Sequence, residues 1–262
     1  MSRRAVRKTI LITGASSGLG EGLAREFAAR GHDLALCARR VDRLETLAAE
    51  LFRTHPGIRV VVRALDVTDA AAVSSVFHAF DKTLSGIDRV IVNAGCGGAS
   101  PLGEGDVQAA IQVAQTNFVG AVAQCDAAMR LFRRQGHGHL VVLSSVSAVR
   151  GMPGGMATYS ASKAAVAVLA EGIRNEMKAR GLPIRVTTLM PGFIHTAINA
   201  HQMHKPFAVD VATGCSALAQ AISQERDVAY VPGWPWWLLA RVLRWLPPSR
   251  LPGARPSLNE AA

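Results

Sequence analysis

The first strand-length run of the chain is the feature that most limits its fold. Lys8-Thr9-Ile10-Leu11-Ile12-Thr13 is short, apolar and β-branched, the composition of a strand buried on both faces of a parallel sheet. It passes directly into Gly14-Ala15-Ser16-Ser17-Gly18-Leu19-Gly20, then into a helical pattern of Leu23, Phe27 and Ala28 that stops at Gly31. Strand, glycine-rich turn and helix in that order form a phosphate cradle. Gly14 permits the tight turn, Gly18 lets the backbone approach an anion, and Gly20 allows helix to pack closely on strand. The anion then lies at the positive end of the helix dipole. The spacing is Gly-x-x-x-Gly-x-Gly, not the Gly-x-Gly-x-x-Gly of the general dinucleotide fingerprint. Gly14-Ala15-Ser16-Ser17-Gly18 also satisfies Gly-x-Ser-x-Gly, a nucleophile elbow. That elbow follows several strands and an upstream oxyanion loop, whereas about a dozen residues precede this one. A hydrolase is a poor second reading.

Strand and helix patterns alternate from there on. Asp33–Cys37 reads as strand two, Val41–Arg53 as a helix, Ile58–Val62 as strand three and Asp69–Leu84 as a helix. Asp88–Val92 is strand four, Asp106–Arg134 gives two helical segments, and His139–Leu143 is strand five. Thr158–Arg180 is a long helix, Ile184–Met190 strand six, Asp210–Gln224 a helix N-capped by Asp210, and Val228–Val231 a last strand. The expected fold is α/β: a Rossmann-like, doubly wound parallel sheet in a single domain. Residues 1–233 are expected to form the dinucleotide-binding and catalytic domain, and 234–262 a Trp/Arg/Pro-rich C-terminal helix and tail. A chain of 262 residues, 49% hydrophobic but 5% aromatic, builds such a core from Ala, Val, Leu and Ile. Ligands on these sheets bind beyond the carboxyl ends of the strands. Thr13, Arg39, Asp66, Asn93, Ser145 and Pro191 all fall at strand ends.

Tyr159 and Lys163 open the long helix four residues apart, so both side chains share one helix face. An ammonium beside a phenol favours phenolate, which predicts a tyrosine pKa drawn down toward neutrality and a usable proton donor or acceptor. Together with Thr13-Gly14, Gly18 and Gly20, with Asn93-Ala94-Gly95 after Arg89-Val90-Ile91-Val92, and with Pro191-Gly192, the pair Tyr159 and Lys163 makes the chain resemble the short-chain dehydrogenase/reductase family. The resemblance runs from about Lys8 to about Val231. It implies cofactor contacts at Gly14, Ser16, Ser17, Gly18, Leu19, Gly20, Arg39, Arg40, Asp66, Val67, Asn93, Ala94, Gly95, Tyr159, Lys163, Pro191, Gly192, Ile194 and Thr196. It implies catalytic roles for Asn117, Ser145, Tyr159 and Lys163. Ser145 ends strand five, but its separation from Tyr159 is one residue longer than the family shows; the Gly151-Met152-Pro153-Gly154-Gly155 loop can absorb that residue, and Ser147 is the fallback.

The implied chemistry is hydride transfer between a nicotinamide and a carbonyl or alcohol carbon. Tyr159 donates the proton in reduction, Ser145 orients the carbonyl, Lys163 holds the nicotinamide ribose, and Asn117 completes a water-linked proton route. Strand two ends Cys37-Ala38-Arg39-Arg40, with no carboxylate for ribose hydroxyls and two guanidiniums for a 2′-phosphate. NADP(H) is therefore the expected cofactor, with NAD(H) second. Asp66-Val67 fits the family's adenine-contacting pair, and Asp66 is alternatively a loop carboxylate or cap. No metal is expected; His195, His201 and His204 read as polar residues of a mobile substrate lid. Phe193, Ile194, Ala197, Ile198, Met203 and Phe207 in that lid suit a hydrophobic ketone or a 3-oxoacyl, lipid-like substrate. The alternative function is a non-catalytic, cofactor-sensing or scaffold protein on the same fold.

The segment 234–246 holds all four tryptophans with interposed arginines. Two readings stay open for it. In the favoured one the helix packs on its own domain or a neighbouring subunit; in the other it lies on anionic lipid, being too short to span a bilayer. Ala164–Ala170 and Phe118–Ala123 are small and apolar almost all round, which predicts a homodimer or homotetramer. Cys37, Cys96, Cys125 and Cys215 form no close pair and read as free thiols of a cytoplasmic enzyme, peripheral at the inner face of a membrane in the second reading of 234–246. The basic start is not a signal peptide, because Gly14 interrupts the short apolar run. The net charge of +10 attracts polyanions, membranes included, but no basic reading helix or motif indicates nucleic acid.

Overall fold

The computed structural model describes residues 7–195 and 207–247. Seven strands form one parallel sheet in the order β3-β2-β1-β4-β5-β6-β7: β1 Thr9–Thr13, β2 Asp33–Ala38, β3 Val60–Ala64, β4 Arg89–Val92, β5 Gly138–Leu143, β6 Ile184–Pro191 and β7 Val228–Val231. The helices are α1 Gly18–Ala29, α2 Val41–Thr54, α3 Ala70–Leu84, α4 Val107–Ala114, α5 Gly120–Gln135, α6 Met156–Ala179, α7 Val211–Ser223 and α8 Trp236–Trp245. This is the expected Rossmann-like, doubly wound architecture.

Alternation along the strands distributes their side chains to two cores. Leu11, Ala35, Val90, Val92, Leu140 and Val142 pack with α3, α5 and α6 on one face. Ile10, Ile12, Leu34, Leu36, Ile91, Val141 and Leu143 pack with α1, α2 and α7 on the other. The strands are therefore apolar throughout rather than alternating, because both faces are covered. Helices α1 and α7 lie so close that a Cβ at Gly22 would collide with Cys215. Asp69, Asp106 and the expected Asp210 cap their helices through the side chain.

Two elements depart from the sequence reading. Strand β3 runs Val60–Ala64, two residues later than expected. Asp33 holds the Arg59 backbone N–H (2.9 Å) and guanidinium (2.8 Å), so the turn closes at Arg59 before the strand begins. The segment after β4 is continuous from α4 to α5 through a π-helical turn, Gln115–Val119. Chain order reverses between β1, which pairs β2 on one side, and β4 on the other. The crevice at that reversal, beyond the strands' carboxyl ends, is where such sheets bind ligand.

Candidate active site

The crevice is tied together by Thr13. Its Oγ1 accepts the backbone N–H groups of Asn93 and Ala94, each at 3.1 Å, and the Asn93 Nδ2 donates to the Thr13 carbonyl at 2.8 Å. Gly14 has φ +65°, and a Cβ there would stand 2.8 Å from the Ala94 Cα. A Cβ at Gly20 would run into the Gly14 carbonyl. These contacts require glycine at both positions and leave the turn open. Helix α1 starts at Gly18 behind Ser17, which makes no side-chain cap bond. The first-turn N–H groups of a helix have no intrahelical acceptor, so they can receive an anion. Leu19 and Gly18 lie in that turn.

Arg40 reaches back over the cradle. It donates to the hydroxyls of Ser16 (3.1 Å) and Ser17 (2.7 Å), gathering three of the predicted contacts at one point. Arg39 is exposed and lies near Asp66. Asp66 turns to its own loop, accepting from the Thr68 N–H (2.9 Å) and hydroxyl (2.7 Å). Those bonds, with Arg39 adding a smaller effect, hold its pKa below the usual carboxylate value. Val67 is buried, its carbonyl close above Gly120.

Helix α6 carries the titrating pair. The buried Lys163 sends its Nζ to the Leu143 carbonyl at the end of β5, 3.0 Å away. Burial brings its pKa from 10.5 to about 8. Tyr159 is half-buried, with the Ser145 side chain near enough to its phenol to act on its pKa. Here the sequence expectation is overturned: the Tyr159 pKa is raised, not drawn down. Burial is the leading cause and Cys96 adds to it, while Ser145 opposes them. Helical spacing does place the two residues on one face, but the lysine turns inward to β5 and its Nζ stands 5.8 Å from the phenol ring centroid.

Ser147 donates to Ser145 Oγ through its N–H (3.2 Å) and its hydroxyl (3.0 Å). It therefore supports Ser145, and it is Ser145 that acts on the phenol. Between Ser145 and Tyr159 the chain makes a 3-10 turn, Val146–Val149, and then the glycine loop. In that loop Gly155 packs so closely on the Ala99 carbonyl that a Cβ would not fit.

Asn117 lies in the π-helical turn, a deviation common at functional sites. Its amide holds Cys96 from both sides, accepting from the Cys96 N–H (2.8 Å) and donating to the Cys96 carbonyl (2.9 Å). Its Nδ2 also reaches Ser162 Oγ at 3.1 Å. A Cβ at Gly95 would stand 3.0 Å from Asn117 Oδ1 and 3.5 Å from Lys163 Nζ, so the three converge. Ser162 and Ser144 are contributors that sequence reasoning missed. Ser162 donates to the Tyr159 carbonyl (2.7 Å) and Ser144 to the Lys163 carbonyl (2.7 Å), fixing the start of α6. Both serines sit beside named residues, but nothing in their spacing marks them.

At the end of β6, Gly192 donates its N–H to the Val231 carbonyl at 2.9 Å. The Trp236 indole lies directly on Gly192 and meets Phe193 edge-to-face, with centroids 5.4 Å apart. The Ile194 side chain is buried against Gly214 in the α7 core. Thr196, with Ala197, Ile198, His201, Met203 and His204, lies outside the described residues. No group of His, Cys, Asp and Glu among the described residues is arranged to hold a metal ion.

Residues 8–206 match the family model described as short chain dehydrogenase. An uncharacterized oxidoreductase of Mycobacterium tuberculosis is 50% identical over 242 residues, which is 92% of this chain and 95% of that protein. Among solved structures, an alcohol dehydrogenase from the archaeon Thermococcus sibiricus, complexed with 5-hydroxy-NADP, superposes with a TM-score of 0.75 at 29% identity, covering 85% of this chain and 94% of that one. A short chain dehydrogenase/reductase from Burkholderia phymatum, in complex with NAD, gives a TM-score of 0.81 at 22% identity over 91% and 92% of the two chains, and speaks for the fold alone.

Proposed function

The chain belongs to the short-chain dehydrogenase family and is an oxidoreductase; on that premise we propose that it transfers a hydride between NADP(H) and a carbonyl or secondary alcohol of a hydrophobic, ketone or 3-oxoacyl, lipid-like substrate. The observation that carries the reading is the convergence of Lys163 and Asn117, both buried, at Gly95, with the Tyr159 ring 5.8 Å from Lys163 Nζ and Ser145 near enough to the phenol to lower its pKa. A bound nicotinamide cofactor supplies or accepts the hydride. The open glycine turn and the uncapped start of α1 would hold its pyrophosphate. Asn93, Ala94, Gly95, Lys163 and Gly192 line the crevice toward the reacting end.

The protein's own part is a proton and an oriented oxygen. The phenol is protonated at neutral pH, the more so as burial raises its pKa, and it can give that proton to a developing alkoxide. Ser145, held by Ser147, donates to the same oxygen. Lys163, near pKa 8, is positioned to return a proton to the phenol, and Asn117 braces the chain beside it.

Preference for the phosphorylated cofactor rests on Arg39 and Arg40, since the archaeal neighbour is described with 5-hydroxy-NADP and the Burkholderia one with NAD. Arg40 over Ser16 and Ser17 presents guanidinium and hydroxyls to a 2′-phosphate. Ile111, Val119, Val122 and Val168 are exposed on α4 to α6, supporting a homodimer or homotetramer built on these helices. The four cysteines are free, which suits a reducing cytoplasm.

The test is a screen of aldehydes, ketones and 3-oxoacyl compounds followed by NADPH absorbance. Tyr159→Phe is expected to cut turnover by about 10²–10⁴-fold while NADPH still binds. Retained turnover overturns the role of Tyr159; tight cofactor binding with no turnover on any carbonyl leaves a cofactor sensor.

A further inference from the structure

Helix α8 is anchored along one face. Trp236 and Ala240, one turn apart, are buried, with Trp236 on Gly192 and Phe193. Arg150, from the segment between Ser145 and Tyr159, donates to the Leu243 carbonyl (3.3 Å) and to the Leu246 carbonyl. It thereby satisfies acceptors that a helix end leaves open. The helix is thus held on the active-site side of the sheet.

Its opposite face is apolar and uncovered among the described residues. Trp234, Trp237, Leu238, Val242 and Trp245 recur at helical spacing, and Trp234 and Trp245 are 69% and 86% exposed. Three of the chain's four tryptophans therefore face solvent. Arg241 lies among them, its guanidinium 5.2 Å from the Trp237 ring centroid, and Arg244 is exposed beside Trp245. No Asp or Glu occurs between Asp227 and Glu260, while Arg241, Arg244, Arg250 and Arg255 do. A face with indoles and cations but no anions complements a surface that is apolar beneath and negative above. Trp and Arg are the side chains that settle at the headgroup level of a bilayer. A contact between copies would bury these like charges against each other, and exposed Val119, Val122 and Val168 already offer another face for a second copy.

We propose that α8 is a membrane-docking helix that lies on bilayers containing anionic lipid, with Trp234, Trp237, Leu238, Val242 and Trp245 at the acyl boundary and Arg241 and Arg244 on headgroup phosphates. Because the same helix carries Trp236 against Gly192, docking brings the crevice toward the bilayer, where a lipophilic carbonyl substrate partitions. That last step rests on the proposed function; the docking itself does not.

The experiment is co-sedimentation of the full chain with phosphatidylcholine vesicles, with and without phosphatidylglycerol. Pelleting is expected with the anionic vesicles and is expected to weaken as salt rises. Tryptophan emission should shift to shorter wavelength on binding. Trp237→Ala with Trp245→Ala should lower partitioning by about tenfold or more, and Arg241→Gln with Arg244→Gln should remove the dependence on phosphatidylglycerol. Far-UV circular dichroism and thermal unfolding, measured alongside, report that each double variant is folded, and they read out separately from any failure of the reductase reading. Absence of binding to anionic vesicles, or undiminished binding by both double variants, overturns the proposal. So does a wild-type oligomer that the tryptophan variant dissociates, since the face would then belong to a second copy.

Discussion

Replacing Lys163 with methionine isolates the energetics on which the site depends. The Lys163 ammonium donates to a single carbonyl, Leu143 at 3.0 Å, and burial brings its pKa from 10.5 to about 8, opposed only by Cys96. A group with a lowered folded-state pKa carries fewer protons folded than unfolded, so stability rises with pH between those two values. Below about pH 8 both states are protonated and the whole penalty stands; above 10.5 it is gone. The gap corresponds to about 3 kcal/mol at neutral pH, at about 1.4 kcal/mol per pH unit. Methionine removes the charge at similar length but leaves the Leu143 carbonyl without its donor, a loss of about 1–2 kcal/mol. The cofactor-free Lys163→Met protein should therefore be about 1–2 kcal/mol more stable than wild type at pH 7. For a chain of this size that is a Tm higher by about 2–6 °C. The advantage should shrink above pH 8 and reverse between about pH 9 and 10, where the remaining penalty falls below the lost hydrogen bond. Urea unfolding of both proteins at pH 7 and at pH 10 measures it, because every other titrating group cancels in the difference. A variant that is less stable at pH 7, or a difference that ignores pH, refutes the reasoning.

Arg40→Ala should weaken NADPH binding by about 10–100-fold, the worth of charge-assisted bonds to a phosphate, with NADH little affected; equal losses by calorimetric titration would remove Arg40 from the 2′-phosphate. Asn117→Ala deprives the Cys96 N–H and carbonyl of their partners, so unfolding free energy should drop by about 1–3 kcal/mol. Turnover should fall more than KM rises, and steady-state rates with unchanged kcat would count against a positioning role. Glu225 accepts from Arg7 at 2.9 Å and stands 3.6 Å from Arg89, so Glu225→Gln leaves two buried cations unbalanced. That should lower stability by about 3–5 kcal/mol with KM unchanged, and a loss under about 1 kcal/mol in urea unfolding would contradict it.

The order of strands and helices was legible because each buried strand is a β-branched apolar run between polar turns, and composition of that kind acts locally. What escaped depends on contacts distant in sequence. Strand β3 begins late because Asp33, twenty-six residues earlier, fastens Arg59. The π-helical turn at Asn117 has no local signature; it places one amide against Cys96 and Ser162 at once. The sequence offered two arginines after β2 without separating them; the start of α2 aims Arg40 at Ser16 and Ser17. The Tyr159–Lys163 spacing fixed their shared face but not their protonation. That follows from how deeply α6 sinks them against β5, which only the assembled sheet determines.

Buried charge at the two ends of the sheet obeys different rules, and the difference separates scaffold from chemistry. At the strand starts, Arg7, Arg89, His139 and Glu225 form one network. Arg89 donates to His139 Nδ1 at 2.8 Å, so the imidazole is neutral and gives its Nε2–H to Thr187 at 2.8 Å. Burial, reinforced by the neighbouring arginines, pushes the His139 pKa well down, and the carboxylate of Glu225 answers the cations. Such an arrangement keeps the imidazole uncharged and fixes the strands in register. At the carboxyl ends Lys163 has a carbonyl and no carboxylate among the described residues, and its pKa is about 8. A lysine answered by an acid would stay charged and inert. One left with only a carbonyl can gain and lose its proton near working pH, one turn from a phenol whose pKa burial raises.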